Sequence, residues 1–132
     1  MGKCTLEMKR QRFSLQNRVQ AFRYAFRGLA IALREEHNMR IHLVAAAGVI
    51  VAGVVCHISA SEWVAVVVAI GLVVSMELVN SALERIADEV NPERSEAMAK
   101  IKDLSAAGVL VSAMTALAIG VWVFLPKILA LL

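Results

Sequence analysis

The sequence predicts an all-α integral membrane protein, with three transmembrane helices preceded by an amphipathic surface helix, and two observations carry that prediction. Of its 132 residues 59% are hydrophobic and the mean hydropathy is +0.67, which is too apolar for a soluble domain of this size. Three apolar runs, at about 41–56, 63–83 and 104–125, have the length needed to cross a hydrocarbon core of about 30 Å as helices. The whole chain, 1–132, reads as a single domain.

The surface helix comes first. Leu15, Val19, Phe22, Phe26, Leu29, Ala30 and Leu33 recur at helical spacing over about 15–34, while Gln16, Gln20, Arg23, Arg27 and Arg34 take the opposite face. Such a helix lies on the cytoplasmic membrane surface or packs against the bundle from the water side. The first span is marginal in length, with room to extend backward as helix. A short link at 57–62 leads to the second span, which Asn91-Pro92 breaks. The polar 93–100 stretch then reads as a short connection to the third span. Runs of small residues, Ala45 to Gly48 and Ala106 to Gly108 among them, allow close helix contact.

Charge sets the orientation. Nine of the fourteen Lys and Arg residues precede Ile41, four lie between Arg85 and Lys102, and only Lys127 lies beyond, whereas the 57–62 link has none. Basic residues favour the cytoplasmic side, so the N-terminus and the 85–103 segment are expected there, with the C-terminus on the opposite face. Trp63 and Trp122 fall at the non-cytoplasmic ends of their spans, where amphipathic rings prefer the interface. Cys4 and Cys56 should then lie on opposite faces, which gives no disulfide or metal framework. The charged start lacks the early apolar region of a cleaved signal peptide, so the mature chain is expected to be the whole chain. The basic N-terminal arm is explained by orientation, and no nucleic-acid partner is expected.

The second span ends in polar groups with no turn residue between. At about 100° per residue, Glu77, Asn80, Glu84 and Asp88 fall within roughly 80° of arc, so one helix face carries all four. Ionisable groups at membrane depth are costly, which makes them functional candidates. Three spans enclose little interior, too little for a single copy to shield that row from lipid, so homo-oligomerisation with sites between subunits is expected. With Glu36 and the Lys102-Asp103 pair, the row frames a site suited to Mg²⁺ and phosphate, since Mg²⁺ takes hard oxygen ligands and a lysine neutralises phosphate. No G-x-x-x-x-G-K-[ST] loop occurs, so any nucleotide site is built without a P-loop.

Plainer readings exist for each group. Glu84 and Asp88 also read as solvated helix-end charges, with Arg85 pairing to either, and Lys102-Asp103 as a cap of the third helix. His37, His42 and His57 read as interfacial residues rather than ligands. A rival of another class is a small oligomeric transporter or channel subunit with Glu77 and Asn80 as an intramembrane cation site. It wants polar groups through the full membrane depth, but the first span has none between Val44 and Val55 and the third offers only Ser105, Ser112 and Thr115. An interfacial enzyme fits better.

Three stretches resemble the small prokaryotic membrane lipid kinases that comprise diacylglycerol kinase and undecaprenol kinase. They are Glu77-Leu78-Val79-Asn80-Ser81-Ala82-Leu83-Glu84-Arg85-Ile86-Ala87-Asp88, Lys102-Asp103-Leu104-Ser105-Ala106-Ala107-Gly108-Val109-Leu110 and Glu36-His37-Asn38-Met39-Arg40-Ile41-His42. Order, spacing and topology match from Phe22 onward. The resemblance implies a homotrimer in the bacterial cytoplasmic (inner) membrane that transfers the ATP γ-phosphoryl group to a lipid hydroxyl at the cytoplasmic interface. It makes Glu77 the general base, Asn80 a supporting residue, Glu36 and Glu84 the Mg²⁺-binding carboxylates, and Lys102, Asp103, Tyr24 and Glu93 nucleotide contacts. Departures are local. An arginine expected early in the surface helix to contact phosphate aligns with Asn17, beside Arg18, and only the spacing to Arg40 favours Glu36 over Glu35. The 38–42 and 91–93 stretches look more like the undecaprenol branch than the diacylglycerol branch.

Overall fold

The computed structural model describes residues 13–93 and 95–132. Cys4 lies outside the described residues. Helices follow in the order α1 Leu15–Glu35, α2 His37–Val55, α3 Ala60–Val90 and α4 Glu96–Leu129. The last three are long and apolar enough to cross a membrane, and no strand occurs among the described residues.

Helix α1 stops because Glu36 takes an extended conformation, φ −101° and ψ 112°. A helix end leaves carbonyls without partners, and here they are met from the next helix. Arg40 Nε donates to the Leu33 carbonyl at 2.8 Å, and its Nη2 donates to the Arg34 carbonyl. One guanidinium on α2 thus caps α1 and holds the elbow between them. The apolar side chains Leu15, Val19, Phe22, Phe26, Leu29 and Leu33 of α1 are all exposed on the single chain.

The turn between α2 and α3 is built from two capping devices. The Ile58 N–H reaches back to the Gly53 carbonyl and the His57 N–H to the Val54 carbonyl, both at 3.2 Å, which closes α2 with a Schellman motif. His57 holds the left-handed position, φ 50°, that glycine usually fills. Ser59 then caps α3, its hydroxyl accepting from the Glu62 N–H at 3.3 Å while Glu62 accepts from the Ser59 N–H at 2.7 Å, a reciprocal capping box. Gly53 is needed for close approach, because a Cβ there would stand 2.8 Å from Trp63 Cη2 and 3.1 Å from Ile58 Cδ1.

Helices α3 and α4 form the main antiparallel pair, closed by an ion pair at each end. Lys127 meets Glu62 at 3.1 Å at one end, and Lys102 meets Asp88 at the other. Helix rise puts these about 39 Å apart along α3, close to a bilayer's full thickness of about 40–45 Å with headgroups. The buried seam of α3 runs Val66, Ala69, Val73, Glu77, Asn80, Ser81 and Ala87, and α4 faces inward with Ser105, Ser112 and Val123.

Helices outrun the apolar spans. Helix α2 starts at His37 and so does extend backward from the first apolar run. The 93–100 stretch is not all connection, since α4 begins at Glu96. Ser95 accepts from the Met98 N–H at 3.3 Å, and this cap plus Glu96 in the first turn lets α4 start in water, before the membrane. Lys102-Asp103 therefore does not cap the third helix.

His57→Gly is expected to raise stability by about 0.5–1 kcal/mol by relieving the left-handed residue. Gly53→Val should lower it by about 1–3 kcal/mol by overpacking the turn against Trp63. Thermal unfolding in detergent micelles reads both, and equal transitions for the two variants would contradict the turn geometry.

Candidate active site

The polar row of α3 divides by depth. Taking Trp63 as one interface, a hydrocarbon core of about 30 Å ends about 20 residues on, near Leu83. Glu77 then lies about 9 Å inside, Asn80 one turn shallower, Glu84 at the boundary and Asp88 beyond it. Spacing predicts one face for this row, and in the fold its deeper members turn inward. Glu77 is 2% exposed and Asn80 5%, so one chain does shield the deepest carboxylate, contrary to the expectation from size. The reason is the small-residue approach of the neighbouring helices; at Gly108 on α4 a Cβ would stand 2.6 Å from Met76 Cε.

Asn80 is the hub of a buried hydrogen-bond chain. The Ser105 hydroxyl donates to Asn80 Oδ1 at 2.7 Å, and Asn80 Nδ2 donates to Glu84 Oε1 at 3.1 Å. Helix α4 thereby fixes the amide, and the amide fixes the Glu84 carboxylate. Glu77 stands apart from this chain. Its Oε2 is buried without a hydrogen-bond partner, and the nearest opposing group is His42 Nε2 on α2 at 3.8 Å.

Two cation clusters sit above the row. Arg85 Nη2 donates to Glu35 Oε2 and Glu36 Oε1, both at 2.8 Å, which ties the α1–α2 elbow to α3. Arg85 thus pairs with neither Glu84 nor Asp88, because its side chain leaves the face that those carboxylates share. Lys102 bonds Asp88, and Asp88, Asn91, Lys102 and Asp103 line a cleft of about 260 Å³ at the cytoplasmic-type end of the α3–α4 pair. Among the described residues no three His, Cys, Asp or Glu side chains gather as a ready-made metal cage. Glu36 and Glu84 each keep one carboxylate oxygen outside their bonds to Arg85 and Asn80.

Other expected contacts stay at the surface. Tyr24 is exposed on α1, where its hydroxyl accepts from Gln20 Nε2 at 3.1 Å and Arg27 lies 5.8 Å from its ring centroid. Glu93 is exposed in the turn after α3. Three residues carry more than their sequence suggested. His42 faces the buried Glu77 carboxylate while keeping part of its ring exposed, Ser105 anchors Asn80, and Arg85 clamps the elbow. The signal for Ser105 was its place beside Lys102-Asp103; no periodic signal marked His42, because α2 is apolar all round.

A helix pair long and apolar enough to cross a membrane, which buries Glu77 and Asn80 and opens a lysine-lined cleft at the same end, defines an integral membrane protein with a polar site. Residues 23–124 match the sequence model of the prokaryotic diacylglycerol kinase family. The chain is 32% identical over 123 residues to an undecaprenol kinase of Bacillus subtilis, covering 93% of this chain and 100% of that one. It is 34% identical over 117 residues to a diacylglycerol kinase of Synechocystis, covering 88% of this chain and 67% of that one. The chain belongs to the prokaryotic diacylglycerol kinase family and is a lipid kinase.

Asn80→Ala is expected to cost about 1–3 kcal/mol, since it strips buried Ser105 of an acceptor and Glu84 of a donor. Combined with Ser105→Ala the cost should fall below the sum of the singles. Detergent unfolding of the double-mutant cycle checks this, and additive costs would break the proposed coupling.

Proposed function

We propose that this lipid kinase transfers the γ-phosphoryl group of ATP to the hydroxyl of a membrane lipid alcohol at the cytoplasmic face of the bacterial inner membrane. Undecaprenol is the favoured alcohol and diacylglycerol the second. The carrying observation is the buried Glu77, held within reach of the membrane interior under a cleft that presents Lys102. A charged nucleotide stays in water, whereas a lipid hydroxyl can descend to a base about 9 Å inside the hydrocarbon.

Each group then has a role. Glu77 accepts the hydroxyl proton as that oxygen attacks phosphorus. Asn80 keeps Glu84 oriented through the bond seen between them. Glu36 and Glu84 would hold Mg²⁺, and the fit is chemical: two hard oxygen donors with free lone pairs suit an ion that usually takes one or two carboxylates plus substrate phosphates. Mg²⁺ when bound supplies neutralisation of phosphate charge. Lys102 and Asp103 bind nucleotide, with Tyr24 and Glu93 as outer contacts. Positioning and charge neutralisation supply most of the catalysis, as phosphoryl transfer generally demands.

Several features support the finer points. Helices α2, α3 and α4 leave an apolar groove of about 180 Å³, lined by Ala45, Ala46, Ala69 and Ala113 with His42 at its polar end, which suits a hydrocarbon chain hanging below the hydroxyl. The 93% coverage by an undecaprenol kinase favours the polyprenol. Exposure of Tyr24 and of the apolar face of α1 supports a homotrimer in which a neighbouring copy completes the nucleotide site. The basic flanks support a cytoplasmic N-terminus and a C-terminus on the other face.

Detergent-solubilised protein with ATP and Mg²⁺ should phosphorylate added undecaprenol faster than diacylglycerol. Glu77→Gln should lower kcat by about 10²–10⁴-fold with the fold intact. ATP consumption that ignores added lipid, or a Glu77→Gln enzyme of normal rate, would overturn the reading; a large preference for diacylglycerol would reverse the choice of lipid.

A further inference from the structure

A base buried at 2% exposure faces a problem that a surface base does not. After one turnover it carries a proton, and it must lose that proton before it can serve again. The Oε2 oxygen is buried and has no hydrogen-bond partner, so a proton held there leaves most readily through a neighbouring group. The charged or titratable groups that bear on Glu77 are His42 from α2, Glu84 from α3 and Glu36 from the elbow, while α4 presents none. Glu84 and Glu36 each have one oxygen bonded, to Asn80 and Arg85, and are themselves carboxylates with no basicity advantage over Glu77. His42 is the opposing group, with Nε2 at 3.8 Å from Glu77 Oε2, and its side chain is 23% exposed.

We infer that His42 is the proton exit of the active site, a positioning and relay residue that resets Glu77 between turnovers. The inference rests on the proposed role of Glu77 as the base. The proton balance is simple. The lipid O–H bond breaks as its oxygen bonds the γ-phosphorus and the bond from phosphorus to the ADP leaving oxygen breaks, leaving the proton on Glu77. That proton passes to His42 Nε2 after a small rotation of the carboxylate closes the gap to bonding distance. The imidazolium releases its Nδ1 proton toward the interface, and a ring flip or proton exchange with water there restores the tautomer whose Nε2 can accept again. Imidazole suits this work because its two ring nitrogens let it take a proton on one side and give one up on the other.

The arrangement also explains where the histidine sits. His42 is at the polar end of the apolar groove between α2, α3 and α4, one side toward the base and the other reaching the surface. A residue present only for packing among Ala45, Ala46 and Val49 needs no ionisable ring.

Single-turnover and steady-state rates with undecaprenol, ATP and Mg²⁺ separate relay from scaffold. In His42→Gln the first turnover should run within about threefold of the unmodified enzyme, while steady-state kcat falls roughly 10- to 100-fold with the KM values little changed. In His42→Ala, added imidazole should restore steady-state turnover several-fold, and it should restore nothing in Glu77→Gln. An unchanged steady-state rate in both His42 variants overturns the relay, and so does an equal loss in both phases without imidazole rescue. If the unmodified enzyme fails to phosphorylate lipid, or Glu77→Gln stays active, it is the reading of Glu77 that fails instead.

Discussion

Everything in this fold answers to one carboxylate that is out of water. Glu77 sits in the seam between the two longest helices, with Val66, Ala69 and Val73 on one side of it and Asn80 and Ser81 on the other. A charge in hydrocarbon is tolerated only when it faces the bundle interior. Helix α3 therefore presents a continuous inward stripe that changes from apolar to polar partway along. Helix α4 supplies Ser105 where the polarity begins to need partners, and α2 supplies His42. Three spans thus contribute to covering this one side chain.

The ion pairs do a different job. Pairs that are partly exposed, such as Arg85 with Glu35 and Glu36 or Lys127 with Glu62, are screened by solvent and add little stability. Their value is positional. Lys127 and Glu62 fix one end of the α3–α4 pair, Lys102 and Asp88 the other, so the register of the helices is set where lipid cannot set it. Arg85 and Arg40 act together on the elbow, one through side chains and the other through the carbonyls that end α1. Glu36 is consequently held where α1, α2 and α3 converge, rather than swinging with a free loop.

Much of this was legible in the chain. The three spans, the surface segment and the shared face of Glu77, Asn80, Glu84 and Asp88 follow from hydropathy and a period of 3.6 residues. What escaped is what periodicity cannot encode. Helix α2 is apolar on every side, so nothing in its sequence says that His42 turns toward α3. Arg85 meets partners 49 and 50 residues earlier, and charge pairing over that separation depends on the elbow, which is visible only once Glu36 is seen to be extended. The start of α4 was missed for a simpler reason. Hydropathy reports where a membrane begins, whereas Ser95 and Glu96 report where a helix begins, and here the two differ by about two turns.

Depth along α3 also orders the proposed chemistry. Glu84 and Glu77 are seven residues apart, about 10 Å of helix, and they lie on opposite sides of the step between headgroups and hydrocarbon. A triphosphate and its counter-ions remain hydrated, so they are met at the level of Glu84, Asp88 and Lys102. A lipid hydroxyl is held near the surface by its own polarity, yet its chain favours the interior, so it is met from below. Asn80 lies between the two levels and is bonded upward to Glu84, leaving Glu77 free of that chain. The proposed base is thereby kept out of the hydrogen-bond chain that orients Glu84, while Glu84 and Glu36 still act on it through space, and one helix crossing one interface carries both levels.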